Sequence, residues 1–408
     1  MTYNIFVKCD VCGSISDLKW QVGELSKNIF RICCGKCKTL IECEVTTNNG
    51  SFNYEFKNAK EIDAKLDSRC DYIVPISSEI LTEKMRDGKE MFKPTPFINI
   101  VSLVGFEKFS DFSYRFLRGV ERIEKWKAKC DRLNDLYINK EFNYLRQMIK
   151  KDFNINIKKS NIKNVCKEKY NIDFNFYESF TNKTSYSIFK EKVLKKYKKI
   201  KAINKSDYEK LLEFLKNDID NYEKRIKDTL NIFINNYNYF IPVLLLDNVN
   251  ENKKNEIYRK YSITTVHFED VRNMYLRIYE NVIETSTIFI GLNNIIYRNE
   301  YDKIDDTVIE NKSTIQQYKK MSKGNKIKYI LKNEFFNMII PNFDNDIRNA
   351  IGHEDVEYDA FNQKLIYKEG EMYLIEYVYN SWNCYELCLL VYEIIIDIKL
   401  ELLKVNAV

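Results

Sequence analysis

SDYEKLLEFLKNDIDNYEKRIKDTLNIF, residues 206–233, is the stretch that sorts this chain among the fold classes. It opens with Ser206-Asp207-Tyr208-Glu209, an S-x-x-E capping box whose hydroxyl and carboxylate can satisfy the free amides at a helix start. Behind the box, Tyr208, Leu212, Leu215, Ile219, Tyr222, Ile226 and Phe233 recur at spacings of four and three, which lays one apolar seam along a helix. Val271, Tyr275, Ile278, Val282, Phe289, Leu292 and Ile296 repeat the pattern. Seams of this kind bury against one another in antiparallel bundles. The spacing predicts a third helix over 314–339 with a weak spot at Gly324, and one long helix or two over 110–153.

The last helix, expected over 384–404, differs in carrying a single polar stripe of Glu386, Glu393, Asp397 and Glu401. A helix so apolar belongs in the middle of a bundle or at an oligomer interface, and the stripe reads as the face left in water rather than a cleft lining. Before it, KLIY (364–367) and MYLIEY (372–377) flank Lys368-Glu369-Gly370-Glu371 and read as a β-hairpin between helices. Residues 58–105 mix short strands and turns, with Pro94 and Pro96 marking a boundary, and the polar, lysine-rich 154–205 reads as a lid, insertion or linker.

Composition agrees with a mainly α fold. Only 11 Gly and 5 Pro occur in 408 residues, too few turn formers for a fold of many hairpins, and 45% hydrophobic residues exclude a disordered chain. The surplus of 65 basic over 59 acidic residues gives +6, which permits a polyanionic partner without requiring one. No signal segment opens the chain, and the longest apolar run, near 239–246, is short for a bilayer and holds Pro242; the expectation is a cytoplasmic protein with no membrane partner.

Five of eleven cysteines fall between Cys9 and Cys37. Cys9-x2-Cys12 and Cys34-x2-Cys37 are two knuckles with the spacing that closes four thiolates around zinc, and Gly13 and Gly35 supply freedom for their turns. The strand-like runs around them suggest a zinc ribbon over 3–57. Cys33 competes with Cys34 as ligand, and Cys43 reads as a strand residue. Four thiolates leave no open position, so the metal is expected to be structural and no catalytic metal is expected.

IRNAIGHED (347–355) holds one of only two histidines. Asn349 and His353 are four apart and share a helix face, so the amide can orient the imidazole. Arg348 lies about 140° from His353 on an ideal helix. The two therefore act together only if the helix breaks at Gly352 or if they meet across a two-fold axis. The bland alternative is a histidine at a helix end, favoured by the dipole. Asp344, Asp346, Glu354, Asp355, Glu357 and Asp359 surround the motif with negative charge, so basic surface for a polyanion must come from elsewhere, KEKVLKKYKKIKAINK (190–205) being the candidate. His267, with no arginine at the right spacing, reads as structural.

Arg348-Asn349-Ala350-Ile351-Gly352-His353 resembles the R-x4-6-H motif of the HEPN superfamily, which commonly carries a polar residue straight after the arginine. Helical seams precede the motif and an apolar helix follows it, so the resemblance extends over about 206–404. It implies a HEPN-like antiparallel helical bundle in the C-terminal half, behind the small β zinc ribbon. It also implies a metal-independent endoribonuclease acting on transfer or messenger RNA, with Arg348 and His353 catalytic, Asn349 positioning, and two copies of the motif facing each other in a homodimer. A toxin or anti-phage role, with a neutralising or regulatory partner, follows by analogy alone. The expected division is 1–57 ribbon, 58–205 connecting region and 206–408 HEPN-like domain. The alternative from another class is a non-catalytic protein binding nucleic acid or a nucleotide; a metal-dependent nuclease has little in its favour.

Overall fold

The computed structural model describes residues 1–48, 51–63, 69–89, 95–158, 161–305, 307–309, 313–333 and 345–405. The chain is mainly helical with a small amino-terminal sheet region. It forms two compact units, each assembled from three stretches: Met1–Leu117 with Asn236–Leu276 and Asp344–Trp382, and Arg118–Asn235 with Arg277–Phe343 and Asn383–Val408.

In the first unit, β1 (Thr2–Cys9), β2 (Ile15–Gln21), β6 (Ala59–Glu61), β7 (Tyr72–Ile76) and β9 (Arg86–Asp87) form one sheet in the order β6-β1-β2-β7-β9. β3 (Lys27–Cys33), β4 (Leu40–Asn48) and β5 (Ser51–Lys57) form a second, antiparallel sheet. β1 alternates so that Ile5, Val7 and Cys9 face inward, and β3 does likewise with Phe30 and Ile32. Trp20, fully buried, meets Phe52 edge-on at 5.0 Å and Phe30 at 6.4 Å, so an aromatic core holds the two sheets. β8 (Thr82–Glu83) pairs with β10 (Tyr261–Ser262). The short α1 (Pro96–Val104) starts at Thr95, whose hydroxyl caps it; Pro94 lies outside the described residues.

The 110–153 region resolves into two helices, α2 (Phe106–Ile138) and α3 (Phe142–Phe153). The lysine-rich 154–205 is neither lid nor linker: it folds as α4 (Ile162–Glu178) and α5 (Lys183–Ile203) and buries Tyr170, Phe176, Tyr177, Tyr186 and Tyr197 in the second unit. Its polarity hid aromatic residues at helical spacing.

The seam over 206–233 is buried at every position, but two details differ from the expectation. Asn204, rather than Ser206, caps the helix: its Oδ1 accepts from Asp207 N at 3.0 Å, which starts α6 (Lys205–Leu215) earlier. The chain then turns at 216–218 before α7 (Ile219–Asn235). The four-residue α8 (Tyr237–Phe240), a buried 3-10 turn Ile241–Asn248, and α9 (Glu251–Lys260) follow. The second seam lies on α10 (Phe268–Arg298), buried except for half-buried Ile296.

The third helix divides. Thr314 opens α11 (Ile315–Lys319) with a full capping box to Gln317, and α12 (Lys323–Leu331) restarts after 320–322. The break precedes Gly324, which falls in the first turn of α12; residues 334–339 lie outside the described residues. After α13 (Asn345–Gly352), the hairpin is β12 (Lys364–Tyr367) and β13 (Gly370–Tyr373), with β11 (Glu357–Asp359) as a third strand. Only Met372 and Tyr373 of MYLIEY are strand, because Leu374 begins the final helix, α14 (Leu374–Val405), ten residues before its expected start.

The acidic stripe on α14 is not a solvated face. Glu386 accepts the Asn182 N–H at 2.9 Å, Glu393 pairs with Lys190 at 3.1 Å, and Lys201 pairs with Asp397 and, at 2.6 Å, Glu401. The carboxylates hold α5 onto α14. The sequence reading missed this because the partners lie about 200 residues away. No described helix is long and apolar enough to cross a membrane.

Candidate metal centre and the Arg348–His353 turn

The β1–β2 and β3–β4 turns each carry one cysteine pair. They share one backbone design: Gly13 N donates to Cys9 O at 3.0 Å, and Lys38 N donates to Cys34 O at 2.9 Å. The fifth residue of each turn is left-handed, Gly13 at φ 72° and Lys38 at φ 62°. Gly35 therefore does not provide the freedom expected of it. A Cβ there would stand 2.6 Å from the Tyr72 ring, so the position is small because β7 packs against the turn.

The sulfurs of Cys9, Cys12, Cys34 and Cys37 all lie within 4.8 Å of one another. Cys9 and Cys37 are 3.7 Å apart, and Cys12 and Cys34 3.6 Å. A zinc–sulfur bond of about 2.3 Å implies tetrahedral sulfurs roughly 3.8 Å apart, so the donor set fits that ion. The Thr39 hydroxyl and backbone amide stabilise the Cys37 thiolate and lower its pKa to about 6, while burial pushes the Cys34 thiol up to about 12. Cys33, on the neighbouring strand position, is outside the cluster, and burial raises its thiol to about 11. Cys43 is a buried strand residue.

The metal cluster's half of the first unit is tied to the helical part through Arg31. Its N–H donates to Thr264 O at 2.8 Å, its Nε pairs with Asp270 at 3.2 Å, and its guanidinium lies over the Tyr239 ring at 5.4 Å. Asp270 also accepts the His267 N–H at 2.9 Å, and Glu269 N donates to His267 Nδ1 at 3.4 Å. His267 is thus the cap of α10, as its lack of a paired arginine suggested. Burial holds its imidazole below the ordinary value.

α13 buries Ile347, Ala350 and Ile351, leaves Arg348 and Asn349 half-buried, and exposes the residues from Gly352 to Asp355. Its end is a Schellman turn: Asp355 N donates to Ala350 O at 2.8 Å and Glu354 N to Ile351 O at 3.2 Å, with Glu354 left-handed at φ 62°. His353 is the capping residue itself. The helix ends after Gly352, but the His353 N–H still makes the helical bond to Asn349 O at 2.9 Å, so this end does not by itself bring His353 onto the face of Arg348. Arg348 Nη1 donates to Asn349 Oδ1 at 3.1 Å and lies 3.9 Å from where a Cβ on Gly352 would stand. Asn349 offers His353 its backbone carbonyl, at 2.9 Å from the His353 N–H, while its carboxamide serves the arginine.

The acids around the turn are partly engaged. Glu354 pairs with Arg272 at 3.1 Å. Burial raises the Asp359 carboxyl, but hydrogen bonds from Asn362 and Phe361 and the charge of Lys38 outweigh it and leave it below its ordinary value. Asp344 lies outside the described residues. No family model, curated protein or solved structure matches the chain.

Sequence reading missed a buried ionic group in the second unit. Lys169, Asp173 and Lys227 are almost fully buried, with both ammonium groups 2.7 Å from Asp173 Oδ2 and the Tyr392 hydroxyl donating to the same oxygen at 3.0 Å. In so lysine-rich a sequence, nothing marks these two lysines as different from their exposed neighbours.

Proposed function

We propose that this chain is a metal-independent endoribonuclease of the HEPN type, acting through Arg348 and His353 with Asn349 in support. The observation that supports the reading is the end of α13: His353 is exposed as its capping residue, and the guanidinium of Arg348 lies along the same last turn, 3.9 Å from where a Cβ on Gly352 would stand. A phosphate placed there meets a planar cation and an imidazole, a group that can both accept and donate a proton. The neighbouring 2′-oxygen bonds to phosphorus as the P–O5′ bond breaks. His353 takes the 2′-hydroxyl proton or gives one to the departing 5′-oxygen, and Arg348 stabilises the charge that builds on the phosphoryl oxygens. The products carry 2′,3′-cyclic phosphate and 5′-hydroxyl ends.

In this reading two copies of the motif face each other in a homodimer, and transfer or messenger RNA is the substrate. Toxin or anti-phage action is its biological setting. The four-cysteine centre holds a structural zinc, since four thiolates leave the ion no position for water.

The test is incubation of the purified protein with total RNA during a brief exposure to EDTA, beside His353→Ala. Cleavage that resists the chelator, leaves cyclic phosphate ends and disappears in the variant is the expected result. Undiminished cleavage by His353→Ala overturns the assignment.

A further inference from the structure

α5 carries two contrasting groups of lysines, apart from Lys196, which donates to the Tyr297 hydroxyl at 3.3 Å. Lys190 and Lys201 face α14 and are neutralised by Glu178, Glu393, Asp397 and Glu401. Lys192, Lys195, Lys198 and Lys199 are exposed and form no ion pair with any described residue. At 100° per residue these four lie within an arc of about 120°, opposite the buried Val193, Tyr197 and Ile200. They run along about 10.5 Å of helix at i, i+3 and i+4 spacings, where like charges repel and weaken the helix. Glu191 is the one acid on that arc, and it forms no ion pair with any described residue. A groove of about 750 Å³ follows the same side, lined by Leu194, Ala202, Lys195, Lys198 and Lys199, with the acids Glu178 and Glu191 at its wall.

We infer that this face of α5 is a binding surface for the phosphodiester backbone of single-stranded RNA. Ammonium groups are point-charge partners for phosphates, and a row of them along one straight helix suits a chain bearing one negative charge per link. The apolar side chains Leu194 and Ala202 in the groove, with exposed Ile188 and Ile203 nearby, give unpaired bases a surface that a duplex has no use for. The carboxylates that pair with Lys190 and Lys201 do not pair with this outer row, so its charge is available to a polyanion. The inference concerns binding and does not depend on the cleavage assigned to His353.

The experiment uses the full chain carrying His353→Ala, so that RNA survives the measurement. A fluorescein-labelled 20-nucleotide single strand is titrated at 50–200 mM salt and followed by anisotropy, and the same titration is run after adding Lys192→Gln, Lys195→Gln, Lys198→Gln and Lys199→Gln together. Four released counterions contribute about 2.8 to the log–log salt slope of a single strand, or roughly a 50-fold change in affinity over that salt range. The expected result is that this portion of the slope disappears in the quadruple variant, with an unchanged circular dichroism spectrum because all four residues are exposed. Unaltered affinity and slope in that variant overturn the inference, as does the absence of RNA binding by the parent. Competition by polyglutamate as strong as by RNA of equal charge overturns it in favour of an acidic protein partner. Lysine-dependent binding by a wild-type chain that never cleaves RNA sustains this inference while the ribonuclease reading falls.

Discussion

Arg348 and Asn349 are neighbours in sequence whose side chains are joined, Nη1 donating to Oδ1 at 3.1 Å across the last turns of α13. The amide oxygen helps to hold the guanidinium in place, and the proposed reaction uses that group to clamp phosphate. Arg348→Ala is expected to slow RNA cleavage by about 10²–10³-fold in kcat, the usual cost of removing one donor to developing charge. Arg348→Lys should stay close to the alanine variant, because an ammonium cannot reproduce the planar fork. Asn349→Ala should fall between wild type and Arg348→Ala. Full activity in Asn349→Ala would remove its positioning role.

Cys33 and Cys34 are adjacent, yet only Cys34 joins the sulfur cluster. Metal content measured by mass spectrometry should be close to one zinc per chain in the wild type and in Cys33→Ser. It should fall toward zero in Cys34→Ser, with a lower melting temperature, since a metal bound only by the folded state stabilises it. Equal loss in both variants would mean that the two thiols exchange as ligands.

Local signals in the sequence were legible where one residue type has one physical use. The cysteine spacing gave the cluster, and the 4–3 seams gave α6, α7 and α10. What stayed hidden was set by distant partners. The acidic stripe of α14 looked solvated because Lys190 and Lys201, about 200 positions earlier, are indistinguishable in sequence from Lys195 or Lys198. The start of α14 was lost because Leu374 to Asn383 carries strand-like aromatic residues, which tertiary burial turned into helix. At the Arg348–His353 motif, spacing alone left two geometries open, and the helix end depends on Glu354 adopting a left-handed conformation that no residue preference announces.

Glu354 itself provides a stability test. A β-carbon in the left-handed region costs about 1–2 kcal/mol, and glycine avoids the cost. Its ion pair with Arg272 is highly exposed on the glutamate side and contributes little in return. Glu354→Gly should therefore stabilise the protein by about 1 kcal/mol in chemical denaturation, whereas Glu354→Ala, which keeps the Cβ, should not. A gain of the same size in both would place the effect in the lost charge.

Asp17 is buried on β2, where burial outweighs Lys19, Arg86 and the 3.0 Å hydrogen bond from Asn4 and pushes its carboxyl up from 3.8 to about 6. Between those values the folded protein keeps the proton and the unfolded chain has lost it. This group therefore favours the folded state below pH 4, and the benefit is lost as pH rises through about 6. Asp17→Asn should raise the melting temperature at pH 7.5 and leave it nearly unchanged at pH 4. A larger gain at pH 4 than at pH 7.5 would contradict the raised pKa.

Asp173 is the counter-charge for two buried lysines, so removing it is expected to be the most damaging conservative change in the second unit. Burial opposes its ionisation, but Lys169 and Lys227 outweigh burial and hold its carboxyl below the ordinary range. Its contribution is present above pH 3.8 and is lost as pH falls through the lowered value. Lys169, by contrast, is depressed by burial despite Asp173. Asp173→Asn leaves both ammonium groups in the core without their carboxylate, and a loss of about 3–5 kcal/mol is expected from breaking such a pair on one side. Replacing all three together, Asp173→Leu with Lys169→Met and Lys227→Met, should recover most of that loss, because buried charges must repay their own desolvation. If the triple variant is as unstable as Asp173→Asn, the cost lies in the lost hydrogen bonds to Tyr392 and Asn134 and not in unpaired charge.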